Sequence, residues 1–102
     1  MSEAKYEKSG YCYPNLIARI YLGAIEEIMG PNGIKALLNM ADMKHLIDNY
    51  PPANLNKEFD FVDFAHLNEA MEMIYGPRGG RALSLRTRRK AFDEGLKSLG
   101  AM

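Results

Sequence analysis

Arg89 is the residue that asks most of the fold. At helical spacing it falls on an apolar stripe, between Leu85 and Phe92. A guanidinium placed in an apolar interior is costly unless it is paired. Three roles are open to it. It can pair with an acid on a neighbouring helix, with Asp63, Glu69 and Glu72 as candidates. It can face a pocket or a bound anion. It can also carry its charge out to solvent on a long stem. Arg78, Arg81, Arg86, Arg88 and Lys90 stand around the same helix. A basic helix can hold phosphates. No aromatic residues interleave with these charges, however, and the formal net charge is zero. The expectation is a solvated or partner-facing surface and no nucleic-acid site.

The other chemistry-bearing residues stand alone. His45 is isolated. His66 has Asp63 one turn before it and Glu69 one turn after, a carboxylate patch on one helix face. A metal site needs several ligands at suitable spacing, and no further ligand is supplied, so no metal is expected. Cys12 has no neighbouring base, and no serine sits in a nucleophile elbow. Gly79 and Gly80 do not follow a strand and are not a nucleotide fingerprint. Arg78-Gly79-Gly80-Arg81 at a helix start could hold an anion, but tight helix packing explains it more simply. No catalytic residue is assigned, since no acid–base pair or nucleophile constellation is present.

The elements that must position these residues are read from a junction that occurs twice. Ala24 to Leu38 and Ala70 to Ser84 align without a gap, identical at eight of fifteen positions. Each copy is an apolar-periodic run, then Gly-Pro-x-Gly, then a second apolar-periodic run. Gly30 and Gly76 can take the left-handed conformation that closes a helix. Pro31 and Pro77 cannot continue that helix and suit the first turn of the next. The pattern predicts an all-α chain of about five helices, forming two helical hairpins linked by Gly-Pro-x-Gly.

The first helix carries Leu16, Ile17, Ile20, Tyr21, Ala24, Ile25, Ile28 and Met29 at helical spacing and ends at Gly30. The second starts at Pro31, with Ile34, Leu37, Leu38 and Ala41 as its buried stripe. Asp42 is the expected cap of a short third helix through about Asn49, stopped by Tyr50-Pro51-Pro52. Ala53 to Glu58 reads as the one long loop. Asp60 is the expected N-cap of a fourth helix, with Asp63 favouring its start. Its seam is Phe61, Phe64, Leu67, Met71 and Ile74, with Tyr75 beside it, and it ends at Gly76. The fifth runs from Pro77 to about Leu99 on a stripe of Ala82, Leu85, Phe92, Leu96 and Leu99. Residues 1–12 are expected as a flexible tail before a single helical domain, 13–102.

A chain of 102 residues makes one small domain with a modest core. Its charge is uneven. Residues 1–76 hold six Lys/Arg and eleven Asp/Glu, a net of −5, and residues 77–102 hold seven and two, a net of +5. The two halves can simply face each other in the fold. The single cysteine allows no internal disulfide and suits a reducing compartment. No run approaches the ~18–20 apolar residues of a membrane span, and the N-terminus lacks the apolar run of a signal peptide. The expectation is a cytoplasmic helical domain. Seven methionines and no tryptophan suit adaptable apolar packing.

From Tyr13-Pro14-Asn15 through Gly100 the chain resembles the N-terminal helical segment of 4-vinyl-reductase-type, or hydrocarbon-binding, domain proteins. The residues that carry this are Gly30-Pro31-Asn32-Gly33, Leu46-Ile47-Asp48-Asn49-Tyr50-Pro51-Pro52, Phe59-Asp60-Phe61 with Leu67-Asn68, and Tyr75-Gly76-Pro77-Arg78-Gly79-Gly80-Arg81. Arg86, Arg89, Phe92 and Gly95-Leu96 complete the set. The resemblance implies a helical layer of a larger ligand-binding fold, and a protein that binds small apolar or tetrapyrrole-like molecules or serves as an accessory factor. It also implies a continuation into an α/β domain, whereas this chain stops at Met102, as a truncated piece or as a short protein that kept only the helices. Relatives tend to carry a small residue where this chain has Arg88.

The expected function is therefore a non-enzymatic module that holds an apolar, hydrocarbon or tetrapyrrole-like molecule. Tyr21, Met71, Tyr75, Arg89 and Phe92 are expected to line its shared interior. No particular cofactor is indicated. The alternative is a structural subunit or assembly factor that docks on a partner protein, or self-associates as a homo-oligomer, through an apolar helix face.

Overall fold

Two strands that are far apart in sequence tie the start of the first long helix to the start of the second. The structure, a computed structural model, describes residues 8–100, with side chains described through Lys97. The elements are β1 (Cys12–Pro14), α1 (Asn15–Met40), a 3-10 turn (Lys44–Leu46), β2 (Lys57–Asp60) and α2 (Phe61–Gly100). The fold is not all-α, nor is it five helices in two hairpins. It has two long helices and a two-stranded antiparallel sheet.

The two Gly-Pro steps bend these helices without turning them into hairpins. Gly30 has φ 84 and ψ 166, and Gly76 has φ 80 and ψ 167. The left-handed conformation that caps a helix has ψ near about +47°. The observed pair lies instead in a region open essentially to glycine alone. The bend at Gly76 is sharp. A Cβ on Gly80 would lie 2.5 Å from the Glu72 Cα, although residues eight apart are separated by about 12 Å along a straight helix.

Asp42 does not open a third helix; it closes α1. Its φ is 63. The Met43 N–H donates to the Leu38 carbonyl at 2.8 Å and the Asp42 N–H to the Asn39 carbonyl at 3.2 Å. This pair of bonds is the Schellman motif, with Met43 and Leu38 both buried as its apolar clasp. In place of the expected third helix the chain makes only the single 3-10 turn.

The sheet lies where the sequence shows no alternation and where a loop over 53–58 was expected. Cys12 pairs with Asp60 and Tyr13 with Phe59, and the register slips before Pro14 meets Lys57. The 54–56 segment then caps α1. The Asn15 and Leu16 N–H groups donate to the carbonyls of Asn56 and Asn54 at 2.8 and 2.9 Å. Pro14, at the N-cap, has no side chain for this task. The buried Asn15 amide also donates to Asn54 Oδ1 and Glu58 Oε1.

Asp60 starts α2, with Oδ1 accepting from the Val62 N–H at 2.8 Å. The same carboxylate accepts from the Ser9 hydroxyl and N–H and from the Gly10 N–H. Of the expected 1–12 tail, residues 1–7 lie outside the described residues, whereas Ser9 and Gly10 are held by Asp60, and Lys8 reaches Asp63 at 2.7 Å. Burial would raise the Asp60 carboxyl, but the Val62, Ser9 and Gly10 donors outweigh it and hold the pKa from 3.8 down to about 2. A depressed carboxyl stabilises the fold above its unfolded pKa, and that contribution is lost as pH falls towards 2. Asp60→Ala is therefore expected to lower the melting temperature by several degrees at neutral pH, with the gap to the parent protein closing in acid. Equal melting temperatures at neutral pH would contradict this role for the cap.

The core takes residues from both sides of each bend. Leu22 and Ile25 precede Gly30, and Ile34, Leu37 and Leu38 follow it; Leu67 and Met71 precede Gly76, and Leu83 follows it. Leu22, Ile25, Leu37, Leu38, Met43, Leu67 and Met71 are completely buried side chains. The second segment of α2 buries a different face from the expected one. Gly80, Leu83, Ser84 and Thr87 are buried, while Ala82, Leu85, Arg89 and Leu96 are exposed and Phe92 is 67% exposed. Small side chains then allow the close approach that Leu85 or Phe92 would block.

Candidate ligand groove

Phe64 is the hub of an aromatic cluster that the sheet and α2 assemble. Its ring meets Tyr13 at 4.5 Å, Tyr21 at 4.9 Å and Phe59 at 4.8 Å, each edge-on, and Phe61 stacks on Tyr13 at 4.3 Å. Such edge-on pairs are favourable beyond the area they bury. They form because β1 presents Tyr13, α1 presents Tyr21 and the first turn of α2 presents Phe64.

Between this cluster and the second segment of α2 runs a groove of about 500 Å³. Tyr13, Tyr21 and Phe64 give one wall, Arg88, Ala91 and Phe92 the other, and Asn68 joins them. The Tyr21 hydroxyl donates to Asn68 Oδ1 at 2.9 Å, and the Ser84 hydroxyl donates to the same oxygen at 3.0 Å. Burial raises the Tyr21 phenol above its ordinary pKa, while Ser84 and the Arg88 guanidinium beside it work against that rise. Tyr21 thus stays a neutral hydroxyl with a cation next to it. Arg88 makes no ion pair among the described residues.

The five residues expected to line a shared interior are dispersed. Tyr21 is buried at the groove wall and Phe92 stands at its edge. Met71 is completely buried in the core. Tyr75 lines a separate cleft of about 320 Å³ with Ile28, Met29 and Leu83. Arg89 is exposed, on the side of α2 away from the buried Leu83, Ser84 and Thr87, and none of Asp63, Glu69 and Glu72 pairs with it. The neighbouring Arg88, also exposed, is the arginine that borders the groove. Tyr13, Phe64, Asn68, Arg88 and Ala91 were not among the expected lining residues. No sequence signal marks these five for the site; Arg88 reads in sequence as one of five basic residues around the same helix.

Among the described residues no buried side-chain nitrogen or oxygen lacks a hydrogen-bond partner. Tyr50 donates to Glu26 Oε1 at 2.6 Å, and burial with this bond raises its pKa. Lys90 of α2 meets Glu27 of α1 at 3.3 Å, one contact between the basic and acidic parts of the chain. His45 is exposed, and His66 lies 3.9 Å from Glu69. Among the described residues no group of three or more His, Cys, Asp or Glu side chains could hold a metal ion. No helix among them is long and apolar enough to cross a membrane. No family model, no curated protein and no solved structure matches the chain.

Proposed function

We propose that this protein is a non-enzymatic binding module whose groove holds an apolar molecule bearing an anionic head group. The observation that carries this reading is the placement of Arg88. A guanidinium without a carboxylate partner among the described residues stands beside the Tyr21 hydroxyl, at the wall of a groove lined by aromatic rings. The groove volume falls in the usual range for small-molecule sites, ~300–1,000 Å³. The rings would take the apolar body, and Arg88 with Tyr21 would fix the head group by charge-assisted hydrogen bonds. The resemblance to hydrocarbon-binding domains points to the same class of ligand. The half-buried lone cysteine, Cys12, fits a reducing compartment, and we place the protein in the cytoplasm on that ground.

The test is a pair of fluorescence titrations, one with anilinonaphthalene sulfonate and one with its neutral counterpart, phenylnaphthylamine. The anion is expected to bind more tightly. Arg88→Ala is expected to weaken the anion by about tenfold, the scale of one hydrogen bond to a charged group, and to leave the neutral probe nearly unchanged. Equal affinity of the anion for both proteins would overturn the role of Arg88.

A further inference from the structure

The exposed residues of α2 after its bend form a heptad seam that faces away from the body of the protein. Ala82, Leu85, Arg89, Phe92 and Leu96 recur at alternating intervals of three and four, the a/d spacing of a coiled coil. The large apolar members are open to solvent, with Leu85 at 46%, Phe92 at 67% and Leu96 at 55%. The opposite face, Leu83, Ser84 and Thr87, is the one packed on the core. In a solitary amphipathic helix the larger apolar side chains belong to the packed face. Here they are on the open one.

We propose that this seam pairs with the same seam of a second copy, antiparallel, about a two-fold axis between Lys90 and Ala91. Two features select a second copy in this orientation. The intervals Leu85–Arg89–Phe92–Leu96 read 4-3-4 in both directions. A two-fold axis at their centre therefore sets Leu85 against Leu96 of the other copy, and Arg89 against its Phe92. The second feature is charge. Arg86 and Asp93 flank the seam at equivalent heptad positions, on the side where antiparallel helices face like position with like. The pairing brings each Arg86 to an Asp93, twice per dimer. A parallel pairing would instead set Arg89 directly against Arg89, a like-charge contact inside the seam. In the antiparallel arrangement the guanidinium lies on the Phe92 ring, a favourable cation–π contact. The seam and the ligand groove share Phe92 alone, and the charge pair that selects the dimer, Arg86 with Asp93, lies outside the groove lining.

The experiment is sedimentation velocity of the full chain, with circular dichroism confirming that each variant stays helical. At about 100 μM, well above the micromolar dissociation constants of weak specific pairs, the parent protein is expected to be a dimer. Arg86→Asp and Asp93→Arg are each expected to raise the dissociation constant by roughly tenfold, since each sets like charges together twice. The double variant Arg86→Asp/Asp93→Arg is expected to dimerise like the parent. A monomeric parent protein would overturn the proposal. So would a dimer indifferent to either single change, or a double variant as weak as the singles. Neither Arg86 nor Asp93 lines the groove, so anilinonaphthalene sulfonate binding by these variants keeps the two proposals apart.

Discussion

Replacing Met71 with alanine is expected to remove roughly 2–5 kcal/mol of folding stability, the range for truncating a large buried aliphatic side chain. The measurement is urea unfolding, with a lower midpoint at an unchanged slope. Met71 has no exposed surface and sits in one cluster with Leu22, Ile25, Leu37 and Leu67. Those neighbours come from α1 and from the turn of α2 before it, so none can shift into the void without unpacking another. For a small domain this is a large fraction of the whole stability. The fully buried position also separates Met71 from the groove, so probe affinity is expected to survive in whatever fraction stays folded. A loss below about 0.5 kcal/mol, within the range of ordinary surface changes, would mean that the interior around Met71 is open, and would return it to the ligand-facing set.

The second large effect is expected at the bends. Gly76→Ala should cost roughly 1–3 kcal/mol, the penalty for a side chain held in a sparsely allowed backbone region. The cause is conformational and not steric. A Cβ at Gly76 would meet nothing within 4 Å, but φ 80 with ψ 167 is open essentially to glycine. Gly30→Ala is expected to behave alike, because Gly30 adopts nearly the same angles. Gly23 supplies the control. It lies within α1, has no positive φ and has open space around its Cβ direction, so Gly23→Ala should be stabilising by up to about 1 kcal/mol. Thermal melts of the three variants check the contrast. A Gly76→Ala protein as stable as the Gly23→Ala protein would contradict the bend.

The duplicated Gly-Pro junction showed where both helices would be interrupted, and the stripes on either side of Gly30 were legible because they bury large aliphatic residues. Ile34, Leu37, Leu38 and Ala41 are all buried. The geometry of the interruption was legible only in part. Glycine's freedom alone suggests the left-handed cap, but a following proline pushes the residue before it to extended ψ, and Gly30 and Gly76 accordingly have ψ 166 and 167. The sheet was hidden because strands of three and four residues are too short to show alternation, and their pairing joins Cys12 to Asp60 across the whole first half of the chain. Asp42 is ambiguous in sequence because the same residue type serves at a helix start and, in the left-handed conformation it adopts here, just past a helix end.

The same limit governs the site. Periodicity assigns the largest apolar residues to the inside, and on the last segment of α2 this put Leu85, Arg89, Phe92 and Leu96 in the core. The fold places the small face there instead, with Gly80, Ser84 and Thr87 buried. Arg88 and Arg89 are both exposed, and Arg88 is the one that borders the groove. Only the packing of α2 against Tyr13, Tyr21 and Phe64 shows which arginine has an aromatic groove beside it.

The most direct test of the groove is an amide NMR titration of the isotope-labelled protein with anilinonaphthalene sulfonate. Shifts are expected to concentrate at Tyr13, Tyr21, Phe64, Asn68, Arg88 and Ala91, with Met71 and Tyr75 nearly still. Shifts centred on Met71 and Tyr75, or none at Tyr21 and Arg88 at saturating probe, would contradict it.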